Sequence, residues 1–307
     1  MTLTAPRAVD GAPLLGVSHT PPSFSVPQQA CDCHVHVFGP VERFPFASGR
    51  LYTPGAALLE DLKVHQGLLH MDRVVIVQPS PYGQDNSCTV AATQALGRRA
   101  RAVAVVAPDA DDGELETLND AGVRGLRVNL ESRGETSLSA ARAAMEAAAH
   151  TAARFGWHVQ TYTNLTVLAG LSDVIRRLPT TLVVDHFGRA GAQEVESRDP
   201  RLQKLLDLVS SGKVYVKLSA PHRSARAEDC SDMAMVARTF IDANPDRMLW
   251  GSDWPHPGGK PGVDRGAGIE PFRPVDDGQA LNRLAQWATG TTLHKILVDN
   301  PARLYGF

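Results

Sequence analysis

The sequence predicts one closed (β/α)8 barrel preceded by an irregular arm. Three observations carry the prediction. Eight short β-branched runs recur along the chain, helical segments separate them, and the whole spans 307 residues, a length this fold commonly takes. Strands that alternate with helices pair in parallel, because each crossover helix returns the chain to the same edge direction. An open doubly wound sheet would want G-x-G-x-x-G after its first strand. Gly122, Gly125 and Gly134 do not have that spacing.

The strand runs are 31–37, 73–78, 102–107, 123–129, 157–162, 181–186, 214–219 and 247–252. Between them, 137–155 is rich in alanine, the best helix former. Segment 201–210 (RLQKLLDLVS) repeats its apolar residues at helical spacing. Residues 1–29 carry five prolines and no periodicity, so they read as an arm lying on a barrel of residues 30–307. The Gly/Pro-rich stretch 257–275 reads as the loop after strand eight, and Asn300-Pro301 as a helix start.

Composition excludes several classes. Acidic residues number 33 and basic residues 31, a net charge of −2, which argues against a general nucleic-acid partner. No run reaches the roughly 18 apolar residues that a membrane span needs. No basic start leads into an apolar stretch, so no secretory signal is expected. Four cysteines (Cys31, Cys33, Cys88, Cys230) are too few for a disulfide scaffold. They read as buried thiols of a cytoplasmic protein.

In this fold the active site lies at the C-terminal ends of the strands, and polar residues gather there. Strand alternation places Asp32, His34 and His36 on one face, toward the barrel interior, and Cys33, Val35 and Val37 on the other. His186 ends the sixth strand, and Asp253 ends the eighth, with His256 close behind. A carboxylate near three imidazoles suits a general base or a metal ligand. Arg127 lies in strand four, Arg133 in the loop after it, and Arg223 after strand seven. Guanidinium groups bind carboxylates in planar, bidentate fashion, so several at one mouth imply a substrate with more than one negative charge. Tyr52, Ser80 and Tyr162 add hydroxyls, and His256 is a further candidate substrate contact. Arg124 reads as a structural pair, and Lys217, inside a strand, is expected to pair with a neighbouring acid.

These residues together resemble the amidohydrolase superfamily, from about residue 30 to the end. The segments DCHVHVFGP (32–40), VIVQPSPYGQDN (75–86), VVDHFGR (183–189) and GSDWPHP (251–257) resemble most the branch of lactonases acting on 2-pyrone-4,6-dicarboxylate and on sulfomuconolactone. The resemblance implies hydrolysis of a dianionic lactone ring, an aromatic-degradation intermediate. It gives Asp253, His34, His36 and His186 to the chemistry and the arginines and hydroxyls to the substrate. Superfamily members commonly bind metal through strand-one histidines, strand-five and strand-six histidines and a strand-eight aspartate. Here strand four has no lysine, and Tyr162 stands where a strand-five histidine is expected; His158 lies too early. The expectation is that no metal is required. A single zinc on His34, His36, His186 and Asp253 belongs to the alternatives: a sulfomuconolactone hydrolase or a metal-dependent decarboxylase. A non-catalytic binding barrel is the reading from another class.

Overall fold

Each barrel strand is a short run of β-branched or small residues that a pleated, fully buried surface accommodates. In the computed structural model, which describes residues 14–258 and 268–307, the eight runs form one parallel sheet. Its strands are β1 (Cys31–Val35), β2 (Arg73–Val77), β3 (Ala100–Ala104), β4 (Val123–Asn129), β5 (His158–Tyr162), β6 (Leu182–Val184), β7 (Val214–Ser219) and β8 (Met248–Gly251), each paired with the next in chain order. The ring closes just beyond β8. Val35 bridges Trp254 in parallel, the His36 amide donates to Trp254 O at 2.8 Å, and the Asp253 amide donates to His34 O at 2.9 Å.

Cys31, Cys33, Val75, Val77, Val103, Val183, Tyr215 and Leu249 pack together inside the ring, with Tyr305 against them. A second, larger apolar layer lies between the strands and the helices. The helix Leu138–Ala153 is capped by Ser137, whose hydroxyl accepts from the Ala140 amide. The helix Pro200–Ser210 is capped by Asp199 and buries Leu202, Leu205, Leu208 and Val209, each such leucine contributing about 1.5–3 kcal/mol.

Four expectations change or are refined. First, strand one does not alternate cleanly. Asp32 pairs with Val74 and Val35 with Ile76, so three residues of β1 span two of β2. This bulge-like slip moves the later residues to the opposite face. Cys31 and Cys33 therefore point into the barrel, Val35 and Val37 pack outside with Leu62 and Ile76, and Asp32 faces away from the mouth. There its carboxylate accepts from the Ser252 amide at 3.0 Å and the Ser252 hydroxyl at 2.6 Å.

Second, β3 ends at Ala104 rather than 107. The Asn86 side chain takes both backbone groups of Val105, donating to its carbonyl at 2.7 Å and accepting from its amide at 3.0 Å. Third, the α-helix Asn300–Tyr305 begins at Asn300 as expected, but it continues a chain already helical from Gly290 rather than leaving a loop. The Asn300 side-chain amide donates to Pro245 O and Met248 O, both at 2.8 Å. Fourth, within the 257–275 loop, Ile269–Glu270 pairs in parallel with Thr53–Pro54; residues 259–267 lie outside the described residues.

The arm residues 1–13 also lie outside the described residues. Residues 14–29 lack helix or strand apart from the Leu14–Val17 bridge. They are held by hydrogen bonds from Thr20 N to Asp276 at 2.9 Å and from Ser23 N to Asn282 at 2.6 Å.

Candidate active site

The slip in β1 and the closing turn after β8 build the centre of the site. Gly251 makes the approach possible: a Cβ there would lie 2.6 Å from the His34 Cβ and 2.8 Å from its backbone nitrogen. Asp253 follows in a left-handed conformation (φ 73°). His186 and Phe187, just past β6, are left-handed too, at φ 51° and 57°. Each such non-glycine residue costs on the order of 1–3 kcal/mol, a strain that packing must hold in place.

The result is a carboxylate ringed by imidazoles. Asp253 Oδ1 lies 3.6 Å from His34 Nε2, 3.7 Å from His36 Nε2 and 3.6 Å from His186 Nε2. These are contacts, not hydrogen bonds, which would be shorter than about 3.2 Å. The other carboxylate oxygen is committed. Arg223 reaches Asp253 Oδ2 with Nη2 at 2.6 Å and Nε at 3.2 Å, and its guanidinium lies 5.7 Å above the Tyr162 ring. Burial opposes the Arg223 charge, but the Asp253 carboxylate holds it above the ordinary arginine range.

The outer ring nitrogens decide what each imidazole offers. His36 Nδ1 donates to Val77 O at 2.7 Å, so neutral His36 presents a bare Nε2 lone pair. His186 Nδ1 meets the Ser219 hydroxyl at 2.8 Å. His34 Nδ1 faces Lys217 Nζ at 3.3 Å and Asp185 Oδ1 at 3.2 Å. Burial first, and then Arg127, pushes His36 down to about 3. His34 and His186 fall well below the ordinary histidine range, again through burial first, with Lys217 and His34 respectively adding to it. The three imidazoles are therefore neutral at pH 7.

A cavity of about 690 Å³ opens over this centre, lined by His36, Tyr52, Ser80, Arg127, Arg133, Tyr162, His186, Arg223 and Asp253 among others. Arg127 donates from Nη1 to Gln78 O at 2.8 Å, while its buried Nε lacks a partner. The Asn129 amide nitrogen is buried and unpartnered as well. Burial raises the Tyr52 hydroxyl to about 12 and pushes Tyr162 up, so both remain protonated donors. Arg133 stands exposed at the rim.

Nine of the eleven residues singled out from sequence line this one cavity. His34 is fully buried behind it, against Asp253 and the rings of His36 and His186. His256 is the correction. Its Nε2 lies 3.0 Å and 3.1 Å from the Asp277 oxygens, it does not line the cavity, and it ties the loop after β8 to the helix Asp277–Trp287. His65 shares that carboxylate at 2.9 Å. Arg124 caps local carbonyls, as a structural residue does. Sequence reasoning missed Arg50, which lines the cavity, whereas Lys217 pairs with an acid as expected, Asp185 at 3.4 Å, in a network that Gln160 joins beneath the cavity. The signal for that pairing was a lysine within an otherwise apolar strand, VYVKLS.

His34, His36 and Asp253 are close enough to share a cation, as are His34, Asp185 and His186. A histidine ligand normally gives its outer N–H to an acceptor. His36 does so; His34 Nδ1 lies between the Lys217 ammonium at 3.3 Å and the Asp185 carboxylate at 3.2 Å, and Asp253 already carries a guanidinium. Two cations, Lys217 and Arg223, thus already stand against this donor set.

The family model for amidohydrolases matches residues 31–307. The chain belongs to the amidohydrolase family. It is 36% identical over 294 residues to a 2-pyrone-4,6-dicarboxylate hydrolase of Comamonas testosteroni, covering 92% of each chain. It is likewise 36% identical over 289 residues to a 4-sulfomuconolactone hydrolase of Rhizobium radiobacter, covering 93% of each. A solved structure from Agrobacterium tumefaciens superposes with a TM-score of 0.79 at 24% identity, over 93% of this chain and 98% of that one. That likeness speaks for the shared barrel of this amidohydrolase.

Proposed function

We propose that this amidohydrolase is a lactone hydrolase that opens the ring of a dianionic intermediate of aromatic degradation, with 2-pyrone-4,6-dicarboxylate as its substrate. The observation that carries the reading is the Asp253 oxygen ringed by three neutral imidazoles at the mouth of an arginine-lined cavity.

The chemistry follows from what each atom can accept or donate. A substrate water needs two acceptors, and Asp253 Oδ1 and His36 Nε2 both face the centre. Asp253 takes one proton as the water oxygen attacks the ring carbonyl carbon. His186, with Nδ1 engaged by Ser219, offers Nε2–H to the oxyanion. The tetrahedral intermediate collapses with cleavage of the acyl carbon–ring oxygen bond. The proton on Asp253 returns to the departing enolate oxygen, giving an enol that becomes a ketone, and the new carboxylic acid loses its remaining proton to solvent to leave a carboxylate. Arg127 and Arg133, with Tyr52, Ser80 and Tyr162, hold the two anionic groups, which fixes the carbonyl over the base. Arg223 instead balances and orients Asp253. The reading needs no metal, and with four unpaired, buried cysteines it assigns the enzyme to the cytoplasm. Among the described residues no helix is long and apolar enough to cross a membrane.

The equal identity to a sulfomuconolactone hydrolase keeps a second substrate in view, with sulfonate in place of one carboxylate. Purified, metal-analysed protein is assayed on 2-pyrone-4,6-dicarboxylate and 4-sulfomuconolactone. The reading expects turnover of the pyrone with the higher kcat/KM. Turnover of the sulfonated lactone alone moves the assignment to the second substrate, and turnover of neither overturns it.

A further inference from the structure

Lys217 is fully buried in the barrel interior, on β7, and neither lines the cavity nor enters the chemistry above. Its three neighbours are all acceptors: Gln160 Oε1 at 2.7 Å, His34 Nδ1 at 3.3 Å and Asp185 Oδ1 at 3.4 Å. An ammonium has three donors and no acceptor capacity; two are hydrogen-bonded, to Gln160 and His34, and Asp185 Oδ1, which has no hydrogen bond of its own, stands in ion-pair contact. The Gln160 amide closes the set by donating to Asp185 Oδ2 at 3.1 Å, which fixes its carbonyl toward Lys217. His34 Nδ1 also lies 3.2 Å from Asp185 Oδ1, but that oxygen is without a hydrogen bond; hydrogen-bonded to the Lys217 ammonium instead, Nδ1 carries no proton. In neutral His34 the proton is then on Nε2, which has no hydrogen-bond partner and lies 3.6 Å from Asp253 Oδ1.

We propose that Lys217 is a positioning residue that fixes His34 as its Nε2–H form, so that a proton, not a lone pair, faces the Asp253 base. In the other form His34 would turn Nδ1–H toward Asp185 and set its Nε2 lone pair against the carboxylate oxygen, displacing the base from the position that receives the proton of the water. The consequence for rate rests on the lactone-hydrolase reading; the assignment of the proton does not.

The test uses the full chain with 15N-labelled histidine. Two-bond 1H–15N correlations, assigned with His34→Gln, report which ring nitrogen of His34 carries hydrogen. The expected result is Nε2–H in the wild type and Nδ1–H in Lys217→Met. Wild-type His34 protonated at Nδ1 overturns the proposal, whether or not the variant folds and whether or not any lactone is turned over. In the folded variant kcat should fall on the order of 10–100-fold, the usual effect of removing a residue behind an active group. KM should stay near the wild-type value, because neither Lys217 nor His34 touches the cavity. An unchanged kcat in Lys217→Met, with the ring proton moved, also overturns it.

Discussion

Two aspartates in this barrel each hold histidines around them, and they do opposite things. Asp277 lies between His65 at 2.9 Å and His256 at 3.0 Å, full hydrogen bonds that satisfy its carboxylate. Burial alone would lower His256, but Asp277 raises it, and Asp277 in turn is held well below the ordinary carboxylate range by His256 and His65 against the pull of burial. Asp253 has three imidazoles at 3.6–3.7 Å, none hydrogen-bonded to it and all kept neutral. A buried polar atom left short of its partners is costly, and that cost is acceptable where a substrate completes the set. The same residue types thus make a strut on the outer wall and a reactive centre at the mouth. Distance and hydrogen-bond satisfaction separate the two; residue identity does not.

Substitutions can sharpen that contrast. The largest effect among the imidazoles is expected at the two that line the cavity: His186→Gln and His36→Gln should each lower kcat on the order of 10²–10³-fold, with unfolding temperatures close to wild type. Steady-state kinetics beside thermal unfolding checks this, and a KM effect alone would count against it. Next comes Arg127→Met. Losing a charge-assisted contact worth about 1.5–3 kcal/mol should reduce kcat/KM for a dianionic lactone about 10–100-fold while leaving a neutral lactone little changed.

A smaller effect concerns stability alone. His158 is buried, both ring nitrogens lack partners, and burial first, then Lys217, pushes it to about 3. Between about pH 6.5 and 3 only the unfolded chain binds that proton, so its contribution is present above 6.5 and is lost as pH falls through that window. His158→Leu should flatten the dependence of unfolding free energy on pH by up to about 1.4 kcal/mol per pH unit there. Urea titrations at several pH values measure the slope.

Much of the mouth was legible because it depends on local pattern. The eight strand runs carry their own apolar signature, and His186 and Asp253 stand at strand ends where a barrel places its chemistry. What failed was long-range or irregular. The slip between Asp32 and Val35 leaves no mark in CDCHVHV, so Asp32 and Cys33 were assigned to the wrong faces. His256 looked like a substrate contact because its partner Asp277 comes from a later helix, and His65, which shares that carboxylate, from one nearly 200 residues earlier. Lys217 does pair with an acid, as its place in a strand suggests, but only the closed ring shows that the acid is Asp185. Arg223 was read as an anion-binding residue, and only the closed ring shows its fork on Asp253.

The most direct test sets Asp253→Asn beside Asp277→Asn, measuring hydrolysis of 2-pyrone-4,6-dicarboxylate and thermal unfolding on the same preparations. Loss of the base should cost on the order of 10⁴ in kcat with the fold intact. Breaking the buried Asp277 pairs should cost about 3–5 kcal/mol of stability, with turnover largely kept while the variant is folded. Near-wild-type turnover in Asp253→Asn would contradict the account.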